Sequence, residues 1–110
     1  MAKRSYSLSP IATEATRLLG TRIAVARRER HWSLDELAER VGVSRVTMRK
    51  IERGDPTVGL GLAFETAAVL GVPLFDEDPA RRRLEVARGA DRLAVLPARV
   101  RKPTKVNDDF

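Results

Sequence analysis

Two short amphipathic segments joined by only three residues constrain the fold of this chain more than any other feature. The first begins at Ser33, whose side chain can cap a helix N-terminus, and ends at Gly42, which adopts positive φ at little cost. The second begins with the cap residue Ser44 and ends at Gly54. A connection this short forces the two helices to cross steeply instead of lying side by side.

Cap residues and apolar periodicity predict three further helices. The first starts at Ser9 and Pro10, a cap followed by a residue that tolerates the first helical position. Gly20 in its middle marks either a break or a place where another helix packs closely. We predict helices over residues 9–30, 33–41, 44–53, 60–70 and 78–96, and residues 98–102 could form a short strand.

The positive charge of the chain is concentrated in one stretch, over residues 17–53. The formal net charge is +6, and residues 17–53 carry ten Arg and Lys against five Asp and Glu. This excess suits a polyanionic partner, and a solvated basic surface is the alternative.

The absence of Cys excludes disulfides and thiolate metal sites. With no signal peptide and no apolar run of membrane-spanning length, we expect a cytoplasmic protein that does not insert into membranes.

The second short helix is apolar on one side and cationic on the other. Met48 and Ile51 mark its inner side. Its outer side carries four cations together with Val46 and Thr47: Arg45, Val46, Thr47, Arg49, Lys50 and Arg53. An α-helix fits the major groove of B-DNA, which is about 12 Å wide, and Arg or Lys can reach the guanine acceptors there. Val46 either contacts a thymine methyl group or is a lone surface valine.

The stretch SLDELAERVGVSRVTMRKIERGDPTVGLGLAFETAAVLGVPL resembles the phage-repressor (Xre/Cro) helix-turn-helix family. The matching motifs are ELA, the Gly42 turn, VSRVTM at the start of the second helix, IERG at its end, and the later AAVLGV, and the resemblance covers about residues 18–74. It implies an all-α, five-helix, lambda-repressor-like domain, with an extra C-terminal helix and the possible short strand. We therefore expect a flexible N-terminus over residues 1–8, a helix-turn-helix DNA-binding domain over 9–76, a dimerisation segment over 77–102 and a flexible tail over 103–110.

The resemblance also implies which residues contact DNA. Those at the start of the second helix and one turn later are expected to contact bases: Arg45, Val46, Thr47 and Lys50. The expected backbone contacts are Ser33, Arg27, Arg28, Arg49 and Arg53. Many family members have Gln where this chain has Leu34, so a side-chain phosphate contact is not expected at that position.

The flanks are similar to HipB-type antitoxins, through the long first helix, GDPTVGLG, LPARVRK and the end NDDF. This second resemblance implies a homodimer that represses its own HipBA-type toxin–antitoxin operon at an inverted-repeat operator in double-stranded DNA. It also implies a HipA-like kinase-fold toxin as partner, docked by residues 106–110, for which plain disorder is the alternative. A stand-alone Xre-family regulator without a toxin remains the other hypothesis.

The remaining residues of the chain favour packing or surface roles over catalysis or metal binding. The chain offers no nucleophile paired with a base and no phosphate-binding glycine loop, so we expect no enzyme activity, no cofactor and no metal. His31 is the only histidine, a poor metal site, and Trp32 fits a packing role better than base stacking. Four apolar residues either complete the core or form a dimer face: Leu60, Phe64, Val69 and Leu74.

Overall fold

The computed structural model describes residues 7–100 and 102. Within them the chain forms five α-helices: α1 Pro10–Glu29, α2 Leu34–Val41, α3 Arg45–Glu52, α4 Leu60–Val69 and α5 Pro79–Val95. The predicted all-α fold is confirmed. Over residues 98–102, where a short strand was possible, residues 98 and 99 form bends and residues 100 and 102 have no regular structure. Pro97 follows the end of α5, and residues 98–100 are exposed.

Side-chain caps set the starts of four helices. Ser9 Oγ accepts the Ala12 N–H at 3.2 Å, and Ser33 and Ser44 cap α2 and α3 in the same way. Asp78 caps α5 by accepting the Ala80 N–H at 2.9 Å. These bonds satisfy donors that the first turn of a helix leaves free, so local sequence fixes where these four helices begin.

The core of the first unit is built around the α2–α3 pair. Leu37 from α2 and Met48 from α3 are fully buried against Ile23 from α1. α4 and the turn after it complete the core with Ala67, Leu70 and Val72. α3 packs against both α1 and α2, while α2 also packs against α4. The inner side of α3 is therefore held by the other helices, which leaves its outer side open.

Two glycines allow α1 to approach the end of α3 closely. α1 is continuous through Gly20, and a Cβ there would lie 2.5 Å from the Glu52 carbonyl oxygen. Gly54, at φ +69, would place a Cβ 2.3 Å from the Thr16 carbonyl oxygen. The Gly20 position is thus a close helix contact, not a break.

The chain divides into two compact units between Leu74 and Phe75, two residues before the expected boundary at residue 76. In the second unit Asp78 starts α5, none of whose residues is buried. In the first unit Leu60, for which both the core and an exposed dimer face were open, is 69% exposed, while Leu62 in the same turn packs against the core. Within residues 7–100 and 102, no helix is both long and apolar enough to cross a bilayer.

Candidate nucleic-acid interface

The geometry of α3 begins with the turn that precedes it. Gly42 ends α2 at φ +87, a conformation in which most residues are strained. Ser44 then accepts the Thr47 N–H at 3.1 Å and donates from its hydroxyl to Thr47 Oγ1, also at 3.1 Å. Both bonds fix the first turn of α3, and they hold the half-buried Thr47 side chain against the cap.

Opposite sides of α3 have opposite character. Met48 and Ile51 are 0% and 3% exposed and anchor the helix in the core. Val46, two residues before Met48 and therefore on the opposite side, is 66% exposed. The exposed cations of this side are Arg45, Arg49 and the C-cap residue Arg53, with Lys50 half-buried beside them. The outer side is thus a rigid, cationic helical surface whose only large exposed apolar group is Val46.

The start of α2 lies beside the start of α3. Ser33 caps α2, accepting the Glu36 N–H at 3.0 Å. The first turn of α2 also carries two exposed carboxylates, Asp35 and Glu36. Asp35 Oδ2 lies 3.6 Å from Nη1 of Arg45, so a negative group borders the cationic surface. Sequence patterns did not identify this pair, because it depends on the crossing of the two helices.

Arg27, which we expected at the DNA backbone, faces the inside of the domain instead. Its Nε and Nη2 donate to the Glu52 carboxylate at 2.6 and 3.1 Å, and its Nη1 donates to the Trp32 carbonyl at 2.9 Å. The two side chains of the pair are 12% and 11% exposed. The Glu52 hydrogen bond raises the pKa of Arg27, against the opposing effect of burial. Arg27 therefore ties α1 to α3 and is not free for phosphate, while its neighbour Arg28 is exposed.

Two arginines lie over the ring of Trp32. The guanidinium carbon of Arg40 is 4.0 Å from the centre of its ring, and that of Arg30 is 5.3 Å away. Arg30 also donates from Nη2 to the Leu70 carbonyl at 2.6 Å. Trp32 packs against the core, as expected, and the stack joins the start of α2 to the end of α4.

A second anionic group lies just beyond α3. Asp55 Oδ1 accepts hydrogen bonds from the Thr57 N–H at 2.8 Å and from its hydroxyl at 2.7 Å. These bonds, together with the nearby charges of Lys50 and Arg53, lower the pKa of Asp55 below its ordinary value. The carboxylate thus stays ionised at neutral pH and stabilises the turn that follows the helix.

Comparison with known proteins agrees with this geometry. The family model described as Helix-turn-helix matches residues 23–76, which include α2, α3 and α4. No curated protein and no solved structure gave a match to the chain. The matched segment holds the two short crossing helices and the exposed cationic side of the second. The chain therefore carries, over residues 23–76, a helix-turn-helix domain of the Xre/Cro type, a family of DNA-binding transcription regulators.

Proposed function

We propose that this chain is a sequence-specific transcriptional repressor that acts in the cytoplasm as a homodimer on an inverted-repeat operator. One observation carries the proposal: α3 buries Met48 and Ile51 and presents its cationic side outward. A helix held in this way can enter the major groove without unfolding any part of the core.

The base-contacting residues in this proposal lie in the first two turns of α3. Arg45 at the first helical position donates to guanine O6 and N7, and Val46 packs on a thymine methyl group. Thr47 offers a hydroxyl in the same turn, and Lys50 reaches a base from the next turn. Exposure of Val46 favours the methyl contact, because it is the only large apolar group on this surface.

The backbone contacts are assigned to groups that fix register without reading sequence. The exposed cations Arg28, Arg49 and Arg53 supply charge, and Ser33 with the first N–H groups of α2 supplies hydrogen-bond donors. Arg27 is omitted because its guanidinium is occupied by Glu52 and Trp32. Each phosphate neutralised in this way releases counterions, so affinity falls steeply with salt.

A second copy of the chain is the proposed occupant of the apolar side of α5. Val86, Ala90 and Leu93 recur at helical spacing, and Val86 and Leu93 are 74% and 73% exposed. In proteins, most of the stability of a helix comes from packing such an apolar side against a partner. This apolar side is self-complementary, because antiparallel pairing of two copies places Leu93 of one copy against Val86 of the other, with Ala90 near the centre.

Charge favours the antiparallel arrangement. Arg81, Arg82 and Arg83 cluster in the first turns of α5. Parallel pairing would bring the two clusters together, whereas antiparallel pairing separates them by almost the length of a 17-residue helix, about 25 Å. Exposed Leu96 and Val100 extend the apolar surface beyond the helix. Exposed apolar groups that lie together in this way are typical of protein interaction surfaces.

The α5 interface is tested by matched variants in sedimentation experiments. Leu93→Gln removes an apolar contact, and Arg92→Gln changes a neighbour on the other side of the helix. We expect Leu93→Gln to sediment as a monomer at concentrations where the wild type and Arg92→Gln are dimers. A dimer that persists in Leu93→Gln would contradict the assignment of α5.

The operator proposal is tested by selecting bound duplexes from a random pool at fixed salt. We expect an inverted repeat with half-site centres one helical turn apart, about 34–36 Å, or a multiple of that spacing. Arg45→Ala should lose preference at one base pair of each half-site, while Arg28→Ala should weaken binding to all duplexes alike. Binding without any preferred sequence would overturn the proposal.

The antitoxin hypothesis rests on the resemblance of the flanks. Its toxin-docking segment, residues 106–110, lies outside the described residues. We propose as its test that the full chain and a HipA-like kinase encoded beside it be co-purified. Loss of pairing on deletion of residues 103–110 supports the toxin-binding tail, and failure of the full chain to pair favours a stand-alone regulator.

A further inference from the structure

The ion pair between Asp35 and Arg45 links the two helices of the motif on their exposed side. Arg45 Nη1 lies 3.6 Å from Asp35 Oδ2, and the side chains are 58% and 68% exposed. An exposed pair of this kind contributes little to the stability of a fold. Arg45 is nevertheless the first residue of α3, and Asp35 lies in the first turn of α2. The pair is therefore placed to affect what Arg45 contacts rather than whether the domain folds.

We propose that Asp35 is a specificity-determining residue, which orients the Arg45 guanidinium toward a guanine and disfavours its use on a phosphate. The inference rests on the proposed function, in which Arg45 reads a base. A guanidinium has five N–H donors in a fixed plane. Asp35 attracts Nη1 as an ion pair at 3.6 Å, which leaves the edge formed by Nε and Nη2 for the O6 and N7 acceptors of guanine. A side chain restrained at one end loses less rotamer freedom when it binds a base.

The same carboxylate affects binding to every other sequence. Phosphates that flank the major groove come within the screening distance of Asp35, about 8–10 Å, so the carboxylate repels the duplex. At a guanine, Arg45 keeps Asp35 paired while it donates to the base. At another base pair, Arg45 gains contacts only by turning to a phosphate, which leaves Asp35 unpaired beside the DNA. Asp35 thus weakens complexes with other sequences more than it weakens the complex with the operator, and a repulsive group creates specificity in this way.

Glu36 offers a matched control. It follows Asp35 in the same turn of α2, is exposed and has the same charge. The ion pair with Arg45 is formed by Asp35. A general effect of negative charge at this helix end would therefore be the same for Asp35→Asn and Glu36→Gln, whereas orientation of Arg45 would be affected by Asp35→Asn alone.

The experiment measures binding by fluorescence anisotropy at one salt concentration, with two duplexes. One is the operator obtained by selection, and the other has the base pair that Arg45 reads replaced. For Asp35→Asn we expect the ratio of the two affinities to fall about three- to tenfold, mostly through tighter binding to the replaced duplex. Glu36→Gln should raise both affinities by the same factor, and Asp35→Asn should leave the ratio unchanged in an Arg45→Ala background.

The outcomes separate this inference from the proposed function. If Arg45→Ala abolishes the discrimination but Asp35→Asn keeps the wild-type ratio, the role of Asp35 is overturned and base reading by Arg45 stands. If Asp35→Asn lowers the ratio equally in the presence and absence of Arg45, Asp35 does not act through Arg45 and the inference is again overturned. If Arg45→Ala keeps full discrimination, the assignment of Arg45 to a base fails, and the inference fails with it.

Discussion

Replacing Arg27 with Ala should destabilise the domain severely without touching the exposed side of α3. The substitution leaves the Glu52 carboxylate, 11% exposed, without the guanidinium that lies 2.6 Å from it. It also removes the donor to the Trp32 carbonyl. Breaking a buried pair by removing one partner costs about 3–5 kcal/mol. A unit of this size has a free energy of unfolding of roughly 4–10 kcal/mol, so the loss would take a large part of it.

Urea unfolding followed by the fluorescence of Trp32, the only tryptophan, measures this loss directly. For a unit this small the slope is about 1 kcal/mol per molar urea, so the midpoint should fall by about 3 M or more. Arg28→Ala removes an exposed arginine from the next position and should change the free energy of unfolding by less than about 0.5 kcal/mol. Replacing both Arg27 and Glu52 by Met should recover much of the loss, since no buried charge is then left unpaired.

The refuting result is equally specific. If Arg27→Ala costs no more than Arg28→Ala, the Arg27–Glu52 pair does not carry the attachment of α1 to α3. The expectation that Arg27 contacts the DNA backbone would then stand again. The salt dependence of the DNA affinity of the variant would test it.

Three further predictions concern the backbone and pH. Gly54→Ala should lower the free energy of unfolding by more than about 2 kcal/mol in urea titrations. The reason is that φ is +69 and a Cβ would meet the Thr16 carbonyl oxygen. An unchanged free energy of unfolding would contradict the close contact. His31→Gly should raise it by about 0.5–1 kcal/mol in the same assay, because His31 has φ +58 at the end of α1; a loss would show that its side chain contributes more than the strain costs. Because the pKa of Asp55 lies below its ordinary 3.8 in the folded state, its contribution is present above that value and is lost as the pH falls through the folded pKa. In Asp55→Ala, the free energy of unfolding should therefore decrease less steeply below about pH 4. An unchanged pH dependence in this range would contradict the Thr57 hydrogen bonds as its cause.

Local signals in the sequence were sufficient to predict the helices. A cap such as Ser33 or Ser44 and a terminator such as Gly42 act within one turn, so their effect does not depend on the rest of the fold. The division of α3 into an inner side with Met48 and an outer side with Val46 follows from helical period and is confirmed in the structure. The roles of individual residues toward DNA remain predictions.

The features that sequence reasoning missed depend on how the helices cross. Arg27 and Glu52 are 25 positions apart, and their pairing exists only because Gly20 lets α1 approach the end of α3. Without that geometry, Arg27 looks like any basic residue at the end of a helix. Asp35 and Arg45 likewise meet only through the steep crossing of α2 and α3. Helical period also left open whether Leu60 completes the core or lies on an exposed face, and only the structure shows that it is 69% exposed.

Protection of a single introduced thiol tests most directly whether the outer side of α3 enters DNA. The chain has no cysteine, so Val46→Cys and a control, Val25→Cys on α1, each give one reactive group at an exposed position. We predict that saturating operator duplex slows maleimide labelling at position 46 by at least about tenfold, the factor for a population nine-tenths covered, and leaves position 25 unaffected. Labelling at position 46 that stays equally fast on saturated DNA would contradict the account, because the central position of the proposed reading surface would then be open to solvent in the complex.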